Sequence, residues 1–395
     1  MKYLTRTIWI LSLVSLFTDM ASEMLYPIMP LYLQQIGFSI VIIGLLEGVA
    51  EAVAGLSKGY FGKLSDATGR RVIFVQAGYA VSALSKPLMA FFIHPVWVFF
   101  VRTTDRVGKG LRTGARDALL AEAAIPKYRG SVFGFHKALD TLGAVAGPAI
   151  ALLYLNFYPE NYRTLFIIAF VPGLLAIFIT LLLKKDTLKT TNTLKSVSFF
   201  SFLSYWKQSP AAYRKMVKGF LAFAIINSSD VFLLLQVKAA GVNEAGVISL
   251  YIFYNIIYAA AAFPLGLLAD KLGFKKLYVF GVLLFVLVYI GMAYATTIPA
   301  FMVLFFLYGV YAAATEGIAK AWISTTVSKT TMATALGGFA AYQSLCALIA
   351  SSVAGLIWYA LGAKFVFLIA GVSAITIAIY FTLIKPNLNV SNTLE

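Results

Sequence analysis

Long apolar stretches recur along the whole chain, separated by short polar turns. A helix that crosses a bilayer needs about 20 mostly apolar residues. The first stretch carries two acids and two prolines and has no small-residue cleavage pattern, so a retained helix is expected and not a signal peptide. The pattern predicts an all-α membrane protein with twelve transmembrane helices, at residues 8–35, 40–62, 72–93, 96–122, 130–156, 162–184, 215–239, 244–269, 276–296, 299–325, 334–361 and 365–385.

The composition agrees with lipid as the main solvent of this chain. Of its 395 residues, 61% are hydrophobic and 12% are charged, whereas globular chains are about 45–50% apolar. The net charge of +16 raises nucleic acid as a partner, so the position of the basic residues matters. The single cysteine, Cys346, excludes a disulfide scaffold or a cysteine-rich metal site.

Most basic residues lie in alternate loops, which places those loops and both termini on the cytoplasmic side of the plasma (inner) membrane. The basic excess therefore reports topology, and nucleic acid is not expected as a partner. The longest connection contains the semi-apolar stretch Phe199–Trp206, which predicts an interfacial helix. The predicted domains are an N-terminal bundle at 1–184, a cytoplasmic linker at 185–214 and a C-terminal bundle at 215–395.

The two halves of the chain repeat one loop motif at an offset of 204 residues. The same offset pairs Gly37 with Gly241 and Gly134 with Gly338. Two parallel six-helix halves around a central site are a transporter architecture, so the repeat predicts two pseudo-symmetric six-helix bundles. The first copy of the loop contains Gly62, Asp66, Gly69, Arg70 and Arg71, and the second contains Gly266, Asp270, Lys271 and Gly273.

With this loop the sequence resembles the major facilitator superfamily over essentially its whole length. Gly-x-x-x-Asp-x-x-Gly-Arg-Arg is the best-known signature of that superfamily. Ala67 replaces the basic residue usual after the Asp, whereas Lys271 keeps it in the second copy. The resemblance implies the superfamily's fold, alternating access, and a latch in which Asp66 and Arg70 help hold the halves in the outward-facing state. The residues assigned to this latch are Gly62, Asp66, Gly69, Arg70, Arg71 and Asp270. A plain positive-inside turn, the alternative, leaves the Gly and Asp spacing unexplained.

Two weaker motifs point the same way. Arg106 with Gly110 resembles the superfamily's fourth-helix arginine motif. Gly143, Gly147 and Pro148 resemble the glycine–proline motif of its proton-driven, drug-antiporter-like exporters. The alternative for these glycines is a small-residue face for helix packing.

The fourth apolar stretch carries seven charges on one face. At about 100° per residue they fit within an arc of roughly 140°, about 22 Å tall. Such a face should line a central cavity, where the planar forks of arginine suit a carboxylate or a phosphate. The alternative is a network of ion pairs with neighbouring acids. The charges are Arg102, Asp105, Arg106, Lys109, Arg112, Arg116 and Asp117, with Arg106, Lys109, Arg112 and Arg116 the most central.

Carboxylates also occur at membrane depth in the first half. Desolvation and a neighbouring cation act oppositely on the protonation of such a group, so an acid near an arginine is a candidate proton carrier. Permanent pairing with Arg106 or Lys137 is the alternative. We favour Glu23, Asp19 and Glu51 from a set comprising Asp19, Glu23, Glu47, Glu51, Asp117 and Asp140.

The second half did not copy the charged face. Its intramembrane charges are Asp230, Glu316 and Lys320, and tyrosines take the place of the others. A tyrosine has an apolar body and a polar tip, suited to an uncharged or aromatic part of a ligand. The alternative is an interfacial belt of tyrosines. The candidate ligand residues here are Tyr258, Tyr311 and Asn255.

The predicted function is secondary active transport of a small organic or phosphorylated anion, by proton-coupled export (antiport). Proton-coupled uptake (symport) is one alternative, and a polyspecific multidrug exporter, with an acid-rich site, is another. With two histidines and no metal-ligand or nucleotide-binding cluster, neither an enzyme nor an ATP-driven pump is expected. The proton gradient supplies the energy, so no cofactor is expected, and the protein is expected to act as a monomer.

Overall fold

The computed structural model describes residues 3–26, 28–38, 40–184 and 198–384. These ranges contain α-helices and short 3₁₀ segments and no β-strand. The α-helices are α1 (Arg6–Leu25), α2 (Met29–Gln35), α3 (Ile40–Thr68), α4 (Arg71–Leu88), α5 (Pro95–Ala123), α6 (Arg129–Phe157), α7 (Tyr162–Thr180), α8 (Tyr205–Gln208), α9 (Ala211–Ile226), α10 (Val231–Ala239), α11 (Glu244–Leu272), α12 (Phe274–Met292), α13 (Ile298–Ser324), α14 (Met332–Leu361) and α15 (Ala363–Leu383). The 3₁₀ segments are Pro126–Tyr128, Phe199–Ser204 and Lys329–Thr331.

Helix length and apolar content confirm the predicted all-α membrane class. Within the described residues, nine helical stretches are long and apolar enough to cross a membrane. Helices α3, α4 and α5, with 29, 18 and 29 residues, are also long enough at 1.5 Å per residue. The charged face predicted for the fourth stretch lies on α5.

Two predicted stretches, the first and the seventh, are each divided into two helices. The sequence predicts one spanning stretch in each, and the seventh, Ala211–Ala239, is long and apolar enough to cross a membrane with its interruption included. The first stretch is interrupted between Leu25 and Met29, and the seventh between Ile226 and Val231. The second interruption consists of Asn-Ser-Ser-Asp, residue types whose side chains compete for backbone hydrogen bonds and favour caps and turns. At the offset of 204 residues the first interruption corresponds to residues 230–232, so the two interruptions overlap at Asp230.

The described helices form two compact units. The start of α6 belongs to unit 2 and the start of α14 to unit 1, so each unit contains a segment from the other half of the sequence. The predicted domain boundaries did not include this exchange. Unit 1 comprises Met1–Ile125, Leu139–Tyr205 and Ser328–Ala341, and unit 2 comprises Pro126–Ala138, Trp206–Val327 and Tyr342–Glu395.

Unit 1 packs α1 against α7, and α5 against both α3 and α4. Of the described residues of the predicted linker, 198–205 belong to unit 1, where the 3₁₀ segment Phe199–Ser204 packs on α3. Phe202 is buried there, and its ring fills the space that a side chain at Gly59 would need. The Lys63 ammonium donates to the Ser201 carbonyl at 2.7 Å. Residues 185–197 of the predicted linker lie outside the described residues.

Unit 2 has an aromatic core. The rings of Phe285 and Tyr289 stack with centroids 3.8 Å apart. Phe220 packs against Tyr278 and Phe381 at 4.7 and 5.3 Å. This core joins α9, α12 and α15 and holds the helices that carry the tyrosines described below.

Candidate functional site

Asp66, near the end of α3, caps the start of α14 within unit 1. Its carboxylate accepts hydrogen bonds from the backbone N–H and hydroxyl of Thr334 at 2.6 and 2.7 Å and from the Ala333 N–H at 3.2 Å. The first N–H groups of a helix have no partner inside the helix and carry partial positive charge. The signature acid therefore satisfies them directly.

Arg71 completes this cluster in unit 1. Its guanidinium is fully buried, lies 2.6 Å from Asp66 and also bonds Glu122 and the carbonyl of Lys329. The resemblance had assigned the latch to Asp66 and Arg70. Arg70 is exposed, because it precedes the first turn of α4 whereas Arg71 is the first residue of that helix. The arginine that pairs with Asp66 is thus Arg71.

The second copy of the motif repeats the cap in unit 2. Asp270 accepts from the N–H groups of Gly130 and Ser131, both at 2.7 Å, and from the Ser131 hydroxyl. In unit 1, Gly62 lies so close to the carbonyl of Ala333 that an added Cβ would collide with it. Gly69 provides the turn after α3 with a φ of 65°.

The glycine–proline motif lies on α6 where that helix contacts α1. An added Cβ at Gly143 would meet the carbonyl of Leu16, and one at Gly147 would meet the carbonyl of Met20. Pro148 lies within α6. The glycines therefore permit close helix packing, the structural alternative for this motif, and a role in export stays a prediction.

Asp105 on α5 is surrounded by donors from α4. Its carboxylate accepts from Ser82 at 2.6 Å and lies 3.5 Å from the Lys86 ammonium and 3.9 Å from Arg102. Lys86 is 5% exposed and is missing from the predicted site. Its position inside the third apolar stretch was the available signal, since the cost of intramembrane charge applies to it equally.

Arg116 on α5 is also paired. Its guanidinium lies 2.9 Å from the buried carboxylate of Asp117, and it donates to the Ser15 hydroxyl at 3.4 Å. That hydroxyl bonds Asp140 of α6. Two predicted coupling acids thus lie in the surroundings of one arginine, as the ion-pair alternative expects.

Arg106 and Lys109 are two further cations of α5. The Arg106 guanidinium is 3.9 Å from Glu51 of α3, whose side chain is 52% exposed. Lys109 is exposed. A half-exposed carboxylate beside a cation is accessible to protons and to a competing anion.

Arg112 differs from the other arginines of α5. It is 4% exposed, and within the described part of the chain its Nε and Nη1 atoms have no hydrogen-bond partner. Its guanidinium lies over the ring of Tyr79, 4.5 Å from the centroid, and is close enough to repel the Lys86 ammonium. A buried donor without an acceptor is costly, so Arg112 is the part of this face that most needs an anion.

The remaining predicted acids of unit 1 are less defined. Asp19 and Glu23 on α1 are half-buried. The side chain of Glu47 lies outside the described residues. Their coupling role stays a prediction.

In unit 2, Glu316 of α13 has a fixed cation. The Lys137 ammonium lies 3.2 Å from Glu316 and over the ring of Tyr258, 5.2 Å from its centroid. The Tyr258 hydroxyl donates to the same carboxylate at 2.6 Å. Tyr258, a predicted ligand residue, therefore belongs to an ion-pair cluster.

The other predicted residues of unit 2 are bonded within the protein. The Tyr311 hydroxyl accepts from Asn227 at 3.0 Å. The Asn255 amide donates to the carbonyl of Tyr251, on its own helix, at 2.9 Å. Asp230, at the interruption between α9 and α10, accepts from the Tyr308 hydroxyl at 2.6 Å. Among the described residues, no group of His, Cys, Asp and Glu could hold a metal ion.

Comparisons with known proteins agree with the motifs. A family model described as Major Facilitator Superfamily matches residues 11–254 and 235–393. An uncharacterized MFS-type transporter of Methanocaldococcus jannaschii is 31% identical over 363 residues, which cover 90% of this chain and 89% of that protein. A Lactococcus lactis homolog of the multi-drug resistance efflux pump PmrA is 23% identical, with the same two coverages.

Two solved structures have the same fold. The human organic anion transporter MFSD10 superposes with a TM-score of 0.81 at 15% identity, covering 95% of this chain and 99% of that one. The fucose:proton symporter of E. coli superposes with a TM-score of 0.76 at 13% identity, covering 95% and 97%.

Proposed function

The chain belongs to the major facilitator superfamily, a family of membrane transporters and not of enzymes, and on that basis we propose that it exports a small organic or phosphorylated anion in exchange for protons. The observation that carries the proposal is Arg112, a buried guanidinium with two donor atoms unsatisfied. Asp105, Asp117 and Glu51 neutralise other cations of the same face. An anionic group supplies the acceptors that Arg112 lacks.

The anion is expected to be a carboxylate or a phosphate. A guanidinium offers parallel donors that match both groups. Tyr79 stacks on one face of Arg112, which holds the guanidinium in a fixed plane. The nearby Lys86 ammonium adds positive potential at the same place.

Purified protein tested by thermal shift and calorimetry against carboxylates, phosphates and drug cations will identify the class. Arg112→Gln should weaken binding of the best anion by roughly 10- to 150-fold, since a hydrogen bond to a charged group contributes about 1.5–3 kcal/mol. Lys127→Gln, at an exposed position, is the matched control and should bind normally. Equal affinity of Arg112→Gln and the wild type contradicts the anion site, provided that both fold.

Coupling is assigned to the acids of unit 1, with Glu51 supported by its position beside Arg106. Protonation of Glu51 releases that guanidinium for an anion, so at this pair the proton and the anion bind together, which favours the symport alternative over exchange. Glu51→Gln or Glu23→Gln should make transport in proteoliposomes independent of pH while counterflow continues. Loss of both activities instead indicates that the acid is structural.

Export of several cationic drugs is a second candidate, favoured by the efflux-pump name of the PmrA relatives. A site that holds cations needs unpaired acids and apolar walls. Stabilisation by drug cations and not by anions in the same screen would replace the first candidate with this one.

A further inference from the structure

Asp230 of unit 2 is a membrane acid without a fixed cation. It lies at the interruption between α9 and α10 and is half-buried. No ion pair within the described part of the chain includes it. In transporters, an interrupted membrane helix leaves polar backbone groups free to line an ion or substrate site, and matching interruptions in the two halves are the best pointer to one. When the two halves are aligned at the offset of 204 residues, the first interruption corresponds to residues 230–232 and overlaps the second one at Asp230.

Tyrosines face Asp230 from three helices. The Tyr308 hydroxyl of α13 donates to its carboxylate at 2.6 Å. Tyr254 of α11 is buried beside it, with its ring 5.1 Å from that of Tyr308. Tyr289 of α12 is the third. The Tyr308 and Tyr254 hydroxyls provide hydrogen bonds to Asp230, and none of the three tyrosines adds positive charge.

Two charged side chains also act on Asp230, Glu316 of α13 and Lys137 of α6. Lys137 is already engaged, since its ammonium lies 3.2 Å from Glu316. The two acids of unit 2 are therefore unequal. Glu316 has a permanent cation and a side chain that is 49% exposed, whereas Asp230 has neither.

A carboxylate at membrane depth with no fixed counter-ion needs a mobile one, because an isolated buried charge is strongly unfavourable. A proton suits this place because it needs one carboxylate oxygen only, while the Tyr308 hydroxyl already donates to the carboxylate. We propose that Asp230 is the proton-binding group of unit 2, separate from the acids of unit 1. The proposal rests on the proton coupling proposed above.

Infrared difference spectroscopy between low and high pH tests this without a transport substrate. The full chain is reconstituted in lipid, and the carbonyl stretch of protonated carboxyl groups is recorded. Asp230→Asn should lose one such band, whereas the matched control Glu316→Gln should keep that band. Tyr308→Phe retains the carboxylate and should shift the band and its pH midpoint, since the hydrogen bond to Asp230 is lost.

Spectra of Asp230→Asn and Tyr308→Phe that both keep the wild-type band at its wild-type midpoint would overturn the inference. A band that responds to Na⁺ at constant pH would also overturn it, in favour of a sodium site. The result is separable from the function proposed above. If the band is lost in Asp230→Asn while wild-type transport ignores pH, the coupling fails and the proton-binding group stands.

Discussion

Helices α5 and α13 occupy equivalent places in the two halves of the sequence and have opposite chemistry. α5 carries charge along one face, whereas the equivalent positions of α13 are mostly apolar. The capping acids Asp66 and Asp270 are present in both halves. The repeat has therefore kept the residues that join helix ends and changed the charged residues of α5. The equivalent pairs are Arg102 with Phe306, Arg106 with Val310, Lys109 with Ala313, Arg112 with Glu316 and Arg116 with Lys320.

One lysine–carboxylate pair in each unit, Lys86–Asp105 in unit 1 and Lys137–Glu316 in unit 2, can be broken to compare their contributions to stability. The pairs differ in burial, so we expect different losses of unfolding free energy. Lys86→Met leaves Asp105 buried, with Arg102 at 3.9 Å as its remaining ion-pair partner among the described residues. Breaking a buried ion pair costs about 3–5 kcal/mol of unfolding free energy. Lys137→Met frees Glu316, which is 49% exposed, and should cost about 1 kcal/mol or less. Unfolding free energies in mixed micelles measure both. Equal losses would remove the distinction between the units.

The two capping acids should differ by a smaller amount. Asp66→Ala removes three hydrogen bonds to α14 and one partner of the buried Arg71, with an expected loss of about 2–3 kcal/mol. Asp270→Ala removes bonds to Gly130 and Ser131 and leaves no buried arginine, so about 1–2 kcal/mol is expected. Thermal unfolding of the two variants side by side gives the order. A larger loss for Asp270→Ala would contradict it.

A third comparison concerns packing on α6 and α14. Gly143→Ala places a methyl group against the carbonyl of Leu16, and overpacking of this kind costs about 1–3 kcal/mol. The equivalent position in the second half is Ala347, which is exposed, so Ala347→Ser should change stability by about 0.5 kcal/mol or less. The same unfolding assay applies. An unchanged unfolding free energy of Gly143→Ala would show that α1 and α6 can move apart without loss of stability.

Much of the fold could be predicted because a membrane restricts it. Apolar length located the helices, and a repeated motif identified the family. The interruptions of the first and seventh stretches were missed, since Asn-Ser-Ser-Asp lies inside a window that is apolar on average. The exchange of α6 and α14 between the units follows from backbone caps, which apolar length does not report.

The sequence named candidate residues for the site, but it did not show which side chains pair with each other. Helical spacing predicts that the charges of α5 share one face, but it could not tell which of them would be neutralised. That depends on α4, where Lys86 and Ser82 approach Asp105. That Arg71 and not Arg70 pairs with Asp66 is a matter of one residue at a helix start. The sequence identified Asp230 only as an intramembrane charge, because the proton-binding role proposed for it depends on the helix interruption.

The reciprocal caps carry an evolutionary consequence. Asp66 binds the start of α14 and Asp270 binds the start of α6, and the offset of 204 residues relates these contacts to within one residue. An isologous dimer imposes this reciprocity, since each copy offers the same surface to the other. The contacts are those expected if a six-helix ancestor paired with itself before its gene was duplicated and fused. The caps would then be older than the charged face of α5.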